Sequence, residues 1–181
     1  FRTIANFASA ADKEIYGNIN VMSAGYKNST GDYKLGPIKL TSHAGKSDYN
    51  INLTAPFIDA EYIGTAPASS FINKIIALTA YRHAGNLFKQ KEDKGKAKGK
   101  IDKNKYDIAL KDGNEYNLKL KTNNTFALCQ LIRPGLFIQE NTQLNAHIDT
   151  CNRFDLNLTS GRIALGSNFF KGLDFNVSNR D

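Results

Sequence analysis

The chain has no tryptophan, one methionine, two cysteines, three histidines and four prolines in 181 residues. Two cysteines cannot build the disulfide scaffold of a small secreted domain, and a chain this long can bury a core without such a staple. No apolar run approaches the ~20 residues that span a bilayer as a helix. There is no Gly-x-Ser-x-Gly, no phosphate loop and no dinucleotide fingerprint. His43, His83 and His147 are far apart, and none stands at metal-ligand spacing from a cysteine or carboxylate. They read as surface or edge residues. Asp59 and Glu61, at i and i+2, share one strand face, a spacing open to acid–base chemistry but more simply a wetted face. No catalytic set emerges, so neither an enzyme nor a cofactor is expected. Cys129 and Cys151 could bridge a helix to a turn in an oxidising compartment. Two free thiols, with Cys129 a small buried hydrophobe, is the preferred reading. The chain opens at Phe1, in mid-pattern and without an initiator methionine or signal-like start, so a segment of a longer or processed chain is expected.

The net charge of +7 is concentrated. Residues 89–105 hold eight lysines and three acids, a net of +5, which leaves +2 for the other 164 residues. This stretch has no arginine and no aromatic residue, whereas nucleic-acid surfaces interleave both with their basic residues. A Lys/Gly/Asp run that can bury no apolar area reads as a solvated linker. Attraction to anionic lipid headgroups is the second reading and nucleic acid the third; no nucleic-acid partner is expected.

Asparagine is abundant, at 20 residues, and it favours turns over helix interiors. Much of the chain alternates apolar and polar residues with a period of two. Tyr49, Ile51 and Leu53 oppose Asn50, Asn52 and Thr54. Tyr116, Leu118 and Leu120 oppose Asn117, Lys119 and Lys121. Phe154, Leu156 and Leu158 oppose Asp155, Asn157 and Thr159. Leu173, Phe175 and Val177 oppose Asp174, Asn176 and Ser178. Tyr16–Val21 and Tyr106–Leu110 are similar. Such alternation marks strands with one apolar and one wet side. Turn-forming clusters at 27–32, 44–48, 111–115, 150–153 and 166–168 separate them, Asp112-Gly113 being a type I′ signal. The regular spacing predicts consecutive antiparallel hairpins.

Two segments break the pattern. Phe71, Ile72, Ile75, Ile76 and Leu78 recur at helical spacing behind Ser69 and Ser70, which predicts a helix over 69–81, extending towards Phe88. Thr125 followed by Phe126–Arg133 predicts a short helix with Thr125 as its cap, stopped by Pro134-Gly135. The expected organisation is a first β unit over 1–88 ending in the helix at 69–81, a lysine-rich linker or insertion over 89–105, and a second β unit over 106–181 with a helix at 126–133. About ten strands at ~4.8 Å each give an apolar surface roughly 45 Å wide, and two short helices are little to cover it. Either the faces close on one another as a sandwich or barrel, or a curled sheet leaves an apolar trough for a greasy ligand.

The order of residues resembles a known family. Tyr49-Asn-Ile-Asn-Leu-Thr-Ala-Pro-Phe-Ile-Asp-Ala-Glu-Tyr-Ile-Gly64, followed by Ser70-Phe-Ile-Asn-Lys-Ile-Ile76, is similar to repeats of the TamB family, the translocation and assembly module of the bacterial envelope, within the AsmA-like, bridge-like lipid-transfer superfamily. Phe126-Ala-Leu-Cys-Gln-Leu-Ile-Arg-Pro-Gly-Leu-Phe-Ile138, running on to Leu144-Asn-Ala-His-Ile-Asp149, resembles that family's "helix, Pro-Gly-Leu, strand" element in its Bacteroidetes-type form. Phe154–Ser160 and Leu173–Val177 follow in the order the resemblance leads one to expect. Ala146 stands where a glycine is usual, residues 89–105 look like an insertion, and the family's membrane anchor and C-terminal signature domain are not in this chain.

The resemblance implies a mainly β, elongated, curled antiparallel sheet, a taco-like groove of consecutive hairpins with two short helices. It implies an internal segment of a periplasmic protein anchored in the inner membrane. The groove would carry phospholipid acyl chains towards the outer membrane, lined by Tyr49, Ile51, Leu53, Tyr116, Leu118, Leu120, Phe154, Leu156, Leu158, Leu173, Phe175 and Val177. Implied partners are neighbouring β repeats of the same chain and, through the full-length protein, a BamA-like factor in outer-membrane protein assembly. The alternative expectation is a structural or adhesive β-rod of the envelope with no lipid cargo.

Overall fold

The computed structural model describes residues 2–9, 15–29, 31–45, 48–87 and 113–179. Among these described residues, twelve strands and two helices follow in order: β1 (Arg2–Ser9), β2 (Ile15–Ser23), β3 (Gly25–Asn28), β4 (Gly31–Lys34), β5 (Ile38–Ala44), β6 (Tyr49–Ala55), β7 (Ile58–Gly64), α1 (Ala68–Leu87), β8 (Tyr116–Thr122), α2 (Phe126–Ile132), β9 (Leu136–Ile138), β10 (Gln143–Ile148), β11 (Phe154–Leu165) and β12 (Asn168–Ser178). The fold is mainly β. Ten of the strands form one antiparallel sheet in the order β1-β2-β5-β6-β7-β8-β10-β11-β12, with β9 paired to the far end of β11. Consecutive strands are neighbours throughout, apart from the small excursions β3–β4 and β9. The Tyr106–Leu110 alternation, Asp112 of the expected turn and the lysine segment lie outside the described residues.

The helix α1 interrupts the chain but not the sheet. β7 pairs directly with β8 across it, Tyr62 opposite Leu118 and Gly64 opposite Tyr116. Gly64 is glycine for a physical reason: an added Cβ would meet the Glu115 carbonyl oxygen at 2.9 Å. Pro67 precedes α1, where its missing N–H is no loss. The helix is 20 residues long. Phe71, Lys74 and Ala77 are buried, whereas Ile72 and Ile76 are exposed. The expected apolar stripe is therefore split, one part facing the sheet and an i, i+4 pair facing out.

Three corners fix the ends of the strands. At the β10–β11 turn, the Asp149 carboxylate accepts from the backbone N–H groups of Cys151 and Arg153, both at 2.9 Å, and from Arg153 Nε at 2.7 Å. Partial desolvation of this carboxyl works upward, but the Arg153 and Cys151 hydrogen bonds outweigh it and hold Asp149 below its ordinary value. Behind β10, buried hydroxyls stitch three strands together. Thr142 Oγ1 donates to the Gln139 carbonyl at 2.7 Å and lies 2.6 Å from Ser160 Oγ. Thr122 Oγ1 donates to the same carbonyl at 2.8 Å and accepts from Thr142 N at 3.0 Å. Across the sheet, the β3–β4 hairpin reaches α2. Tyr26 stacks on Tyr33 with centroids 4.8 Å apart, and Tyr26 Oη donates to the Ala127 carbonyl at 3.0 Å. Desolvation, then the neighbouring Tyr33, push the Tyr26 phenol up.

Thr125 does not cap α2 as expected. It has helical backbone angles and makes no side-chain capping bond. Its hydroxyl instead donates to the Ile138 carbonyl at 2.6 Å, tying the helix to β9. Asn124 Oδ1 takes the Phe126 N–H at 3.3 Å. The stop is as expected: Arg133 is extended and Gly135 has φ +86°, left-handed backbone that suits glycine.

Candidate functional site

The register brings the twelve nominated apolar residues to one face of one sheet. Directly opposed residues in an antiparallel pair project to the same side, so rows can be followed across strands. One row runs Ile51, Tyr62, Leu118, Ala146, Leu156, Val177 from β6 to β12. The next runs Leu53, Ala60, Leu120, Leu144, Leu158, Phe175. A third runs Tyr49, Gly64, Tyr116, Ile148, Phe154. Leu173, opposite Ser160, lies one rung beyond Phe175. The second row continues through Leu40 and Ile19 towards β1.

The helix α1 lies over part of this face. Phe71 inserts between Tyr62 and Tyr116, with ring centroids 6.3 Å and 5.9 Å away. Tyr62, Tyr116, Ala146 and Ile148 form the buried cluster beneath it, and Tyr49, Ile51, Leu118, Phe154 and Leu156 pack around the margin. Tyr116 is 0% exposed, so it belongs to the packed interior below α1 and not to an open wall. Leu53, Leu120, Leu144 and Leu158 lie outside that cluster and are only half-buried. Phe175 is 48% exposed and Val177 half-buried, on the edge strand β12. The covered rows thus grade into an uncovered one along the same sheet.

A cavity of about 320 Å³ opens between α1 and β10–β12. Ile75 and Leu78 of α1 form its roof, and Ala146, Phe154, Leu156, Phe175 and Val177 line its floor. Its size is at the lower end of the ~300–1,000 Å³ usual for small-molecule sites. Ile148 completes the apolar lining, and His147 and Asp155 also border the cavity. The mainly aliphatic and aromatic wall can take hydrocarbon out of water by non-directional contact.

The opposite face is polar. Its central row reads Asn18, Thr41, Asn52, Glu61, Lys119, Asn145, Asn157, Asn176. Glu61 and Lys119 make an exposed ion pair at 3.4 Å, and Asp59 accepts from Asn123 Nδ2 at 2.9 Å. His147 Nδ1 lies 2.7 Å from Asn117 Oδ1, and His43 is exposed. Asp59 and Glu61 are thus engaged with polar neighbours on a wetted face. Among the described residues no three His, Cys, Asp or Glu side chains converge as a metal site. Cys129 is buried, Cys151 exposed, and both thiols are free.

No family model, curated protein or solved structure matches the chain.

Sequence reasoning missed the partners that complete the site. Tyr62, Leu144 and Ile148 were not nominated, nor were Ile75 and Leu78 as its roof. Weak alternation at Gln143–Ile148 carried a signal for β10, but which rows meet is fixed by register across the sheet. That Phe71 would occupy the space between two tyrosines had no local signature.

Proposed function

We propose that this chain is a segment of an envelope bridge whose apolar sheet face carries phospholipid acyl chains. The observation that supports this most is the set of unbroken apolar rows from β6 to β12, backed by one polar face and edged by an apolar cavity beneath α1. Each methylene that leaves water for such a wall contributes ~0.8 kcal/mol. No directional bond fixes the chain in place, so hydrocarbon can slide from rung to rung. In this reading the segment works in the periplasm, within a protein anchored to the inner membrane. It passes lipid towards the outer membrane and supports outer-membrane protein assembly with a BamA-like partner. Further β repeats of the same chain continue the sheet at β1 and β12.

The competing reading is a structural or adhesive rod. It is favoured by Phe71, which fills the space over Tyr62 and Tyr116 as a core residue would. Native mass spectrometry of the purified chain, with lipid extraction and uptake of a fluorescent phospholipid, decides between them. Co-purifying phospholipid, lost in still-folded Leu118→Asp and Leu156→Asp variants, is the outcome expected of a lipid carrier. A lipid-free mass with no uptake would replace it with the rod.

A further inference from the structure

The β11–β12 hairpin extends past the main body of the sheet. Beyond Ser160, among the described residues, β11 has only the three-residue β9 on its other side. The tip is closed by Leu165 opposite Asn168, with Ala164 opposite Phe169 and Ile163 opposite Phe170 behind it. Phe169 is 58% exposed and Phe170 68% exposed. Successive side chains of a strand point to opposite faces, so one bare ring stands on each side of the tip. A protein partner lying on one face of the sheet would cover one ring and leave the other in water. A medium that surrounds the tip covers both.

Cations outnumber acids around the tip. A nearby carboxylate is that of exposed Glu140, next to Gln139, whose N–H donates to the Arg162 carbonyl at 2.9 Å. Arg162 and Lys171 face each other across the hairpin, and both are exposed. The Arg162 guanidinium lies 5.1 Å from the Phe169 ring centroid and 5.7 Å from that of Phe137. The α2–β9 corner, carrying exposed Ile132 and Arg133, is held beside the tip by the Gly166 N–H bond to the Gly135 carbonyl at 3.0 Å. Residues 126–139 and 161–172 contain these three cations and no carboxylate. At ~3.4 Å per residue, the Arg162–Lys171 pair stands roughly 10 Å behind the turn. That matches the ~5–10 Å to which interfacial apolar elements sink at a bilayer surface.

We propose that this hairpin tip docks on an anionic lipid bilayer. Phe169 and Phe170 enter the boundary between headgroups and acyl chains, and Arg133, Arg162 and Lys171 meet the anionic headgroups. Phe169 shares the groove's face but stands three rungs beyond Phe175, with charged Lys171 between them, and Phe170 is on the other face, so the proposal stands whether or not the groove carries lipid.

The test is flotation of the full chain with vesicles of 70:30 phosphatidylcholine and phosphatidylglycerol, against vesicles of pure phosphatidylcholine. Binding to the mixed vesicles is expected to be roughly 100-fold tighter, and to weaken in high salt. The double variant F169S/F170S should lose roughly 100-fold, about tenfold for each ring. R162Q/K171Q should lose roughly 30-fold on mixed vesicles only. Because the chain has no tryptophan, F170W supplies a single indole reporter. Its emission should shift to the blue on adding mixed vesicles, which keeps the test decisive even where the double variant folds poorly. Equal binding to both vesicle types, no loss in F169S/F170S or no blue shift of F170W would each overturn the proposal. So would a doubling of mass in solution that F169S/F170S reverses, since the tip would then be an interface between copies.

Discussion

Replacing Phe71 by alanine tests whether α1 is truly seated on the sheet. Phe71 is 6% exposed and touches two buried or nearly buried tyrosine rings. Taking such a side chain out of water contributes about 2–3 kcal/mol. Two tilted ring contacts add about 0.5–1.5 kcal/mol each. The helix cannot collapse fully into the space left, because Tyr62 is held by its hydroxyl bond to the Ala66 carbonyl. The expected loss is therefore about 4 kcal/mol, inside the range of ~3–5 kcal/mol for buried phenylalanine truncations. Ile72→Ala is the internal control. It is the next residue on the same helix but 61% exposed, and alanine is the better helix former. Its change should stay within about 0.5 kcal/mol. Urea unfolding followed by circular dichroism reads both, at unchanged slope. A Phe71→Ala loss below about 1 kcal/mol, or equal effects at 71 and 72, would refute the seating of α1. The cavity beneath it would then be no site at all.

Three further outcomes follow from the same geometry. Thr142→Val preserves shape but leaves Ser160 Oγ without the hydroxyl partner 2.6 Å away, so a loss of about 1–3 kcal/mol is expected by urea unfolding, with Ser160→Ala in the same background restoring part of it. A maleimide should label Cys151 rapidly and Cys129 only after denaturation, giving one modified thiol in the native chain and two in the unfolded one by mass spectrometry. Asp149 titrates below its ordinary value in the folded chain, so its stabilising effect is complete above the ordinary aspartate pKa and disappears as pH falls through the lowered one. Asp149→Asn should accordingly be less stable than the parent at neutral pH and converge with it in acid, as read from unfolding midpoints across a pH series.

Most of the secondary structure was legible because its signals are local. Period-two alternation depends only on each strand having one wet and one dry side, and it marked β6, β8, β11 and β12 from their own residues. The stop at Pro134-Gly135 rests on the backbone limits of two residues. Thr125 misled because a threonine before a helix serves as a cap in many chains, and here the Ile138 carbonyl competes for its hydroxyl. Ile72 and Ile76 misled because helical spacing counts apolar residues without saying which arc meets the sheet.

By itself, the sequence determined that this protein is built of amphipathic strands joined by polar turns, and which side of each strand shuns water. Alternation is a property of single strands, so it could go that far and no further. Only the tertiary structure decided that β7 pairs with β8 across α1, so that the strands of both halves share one sheet and their apolar sides align in common rows. It also decided that α1 covers the rows of Tyr116 and Leu118 while that of Leu120 stays partly open. Those outcomes depend on register, where a slip of one residue would turn every apolar side chain to the opposite face, and on contacts between residues far apart in the chain.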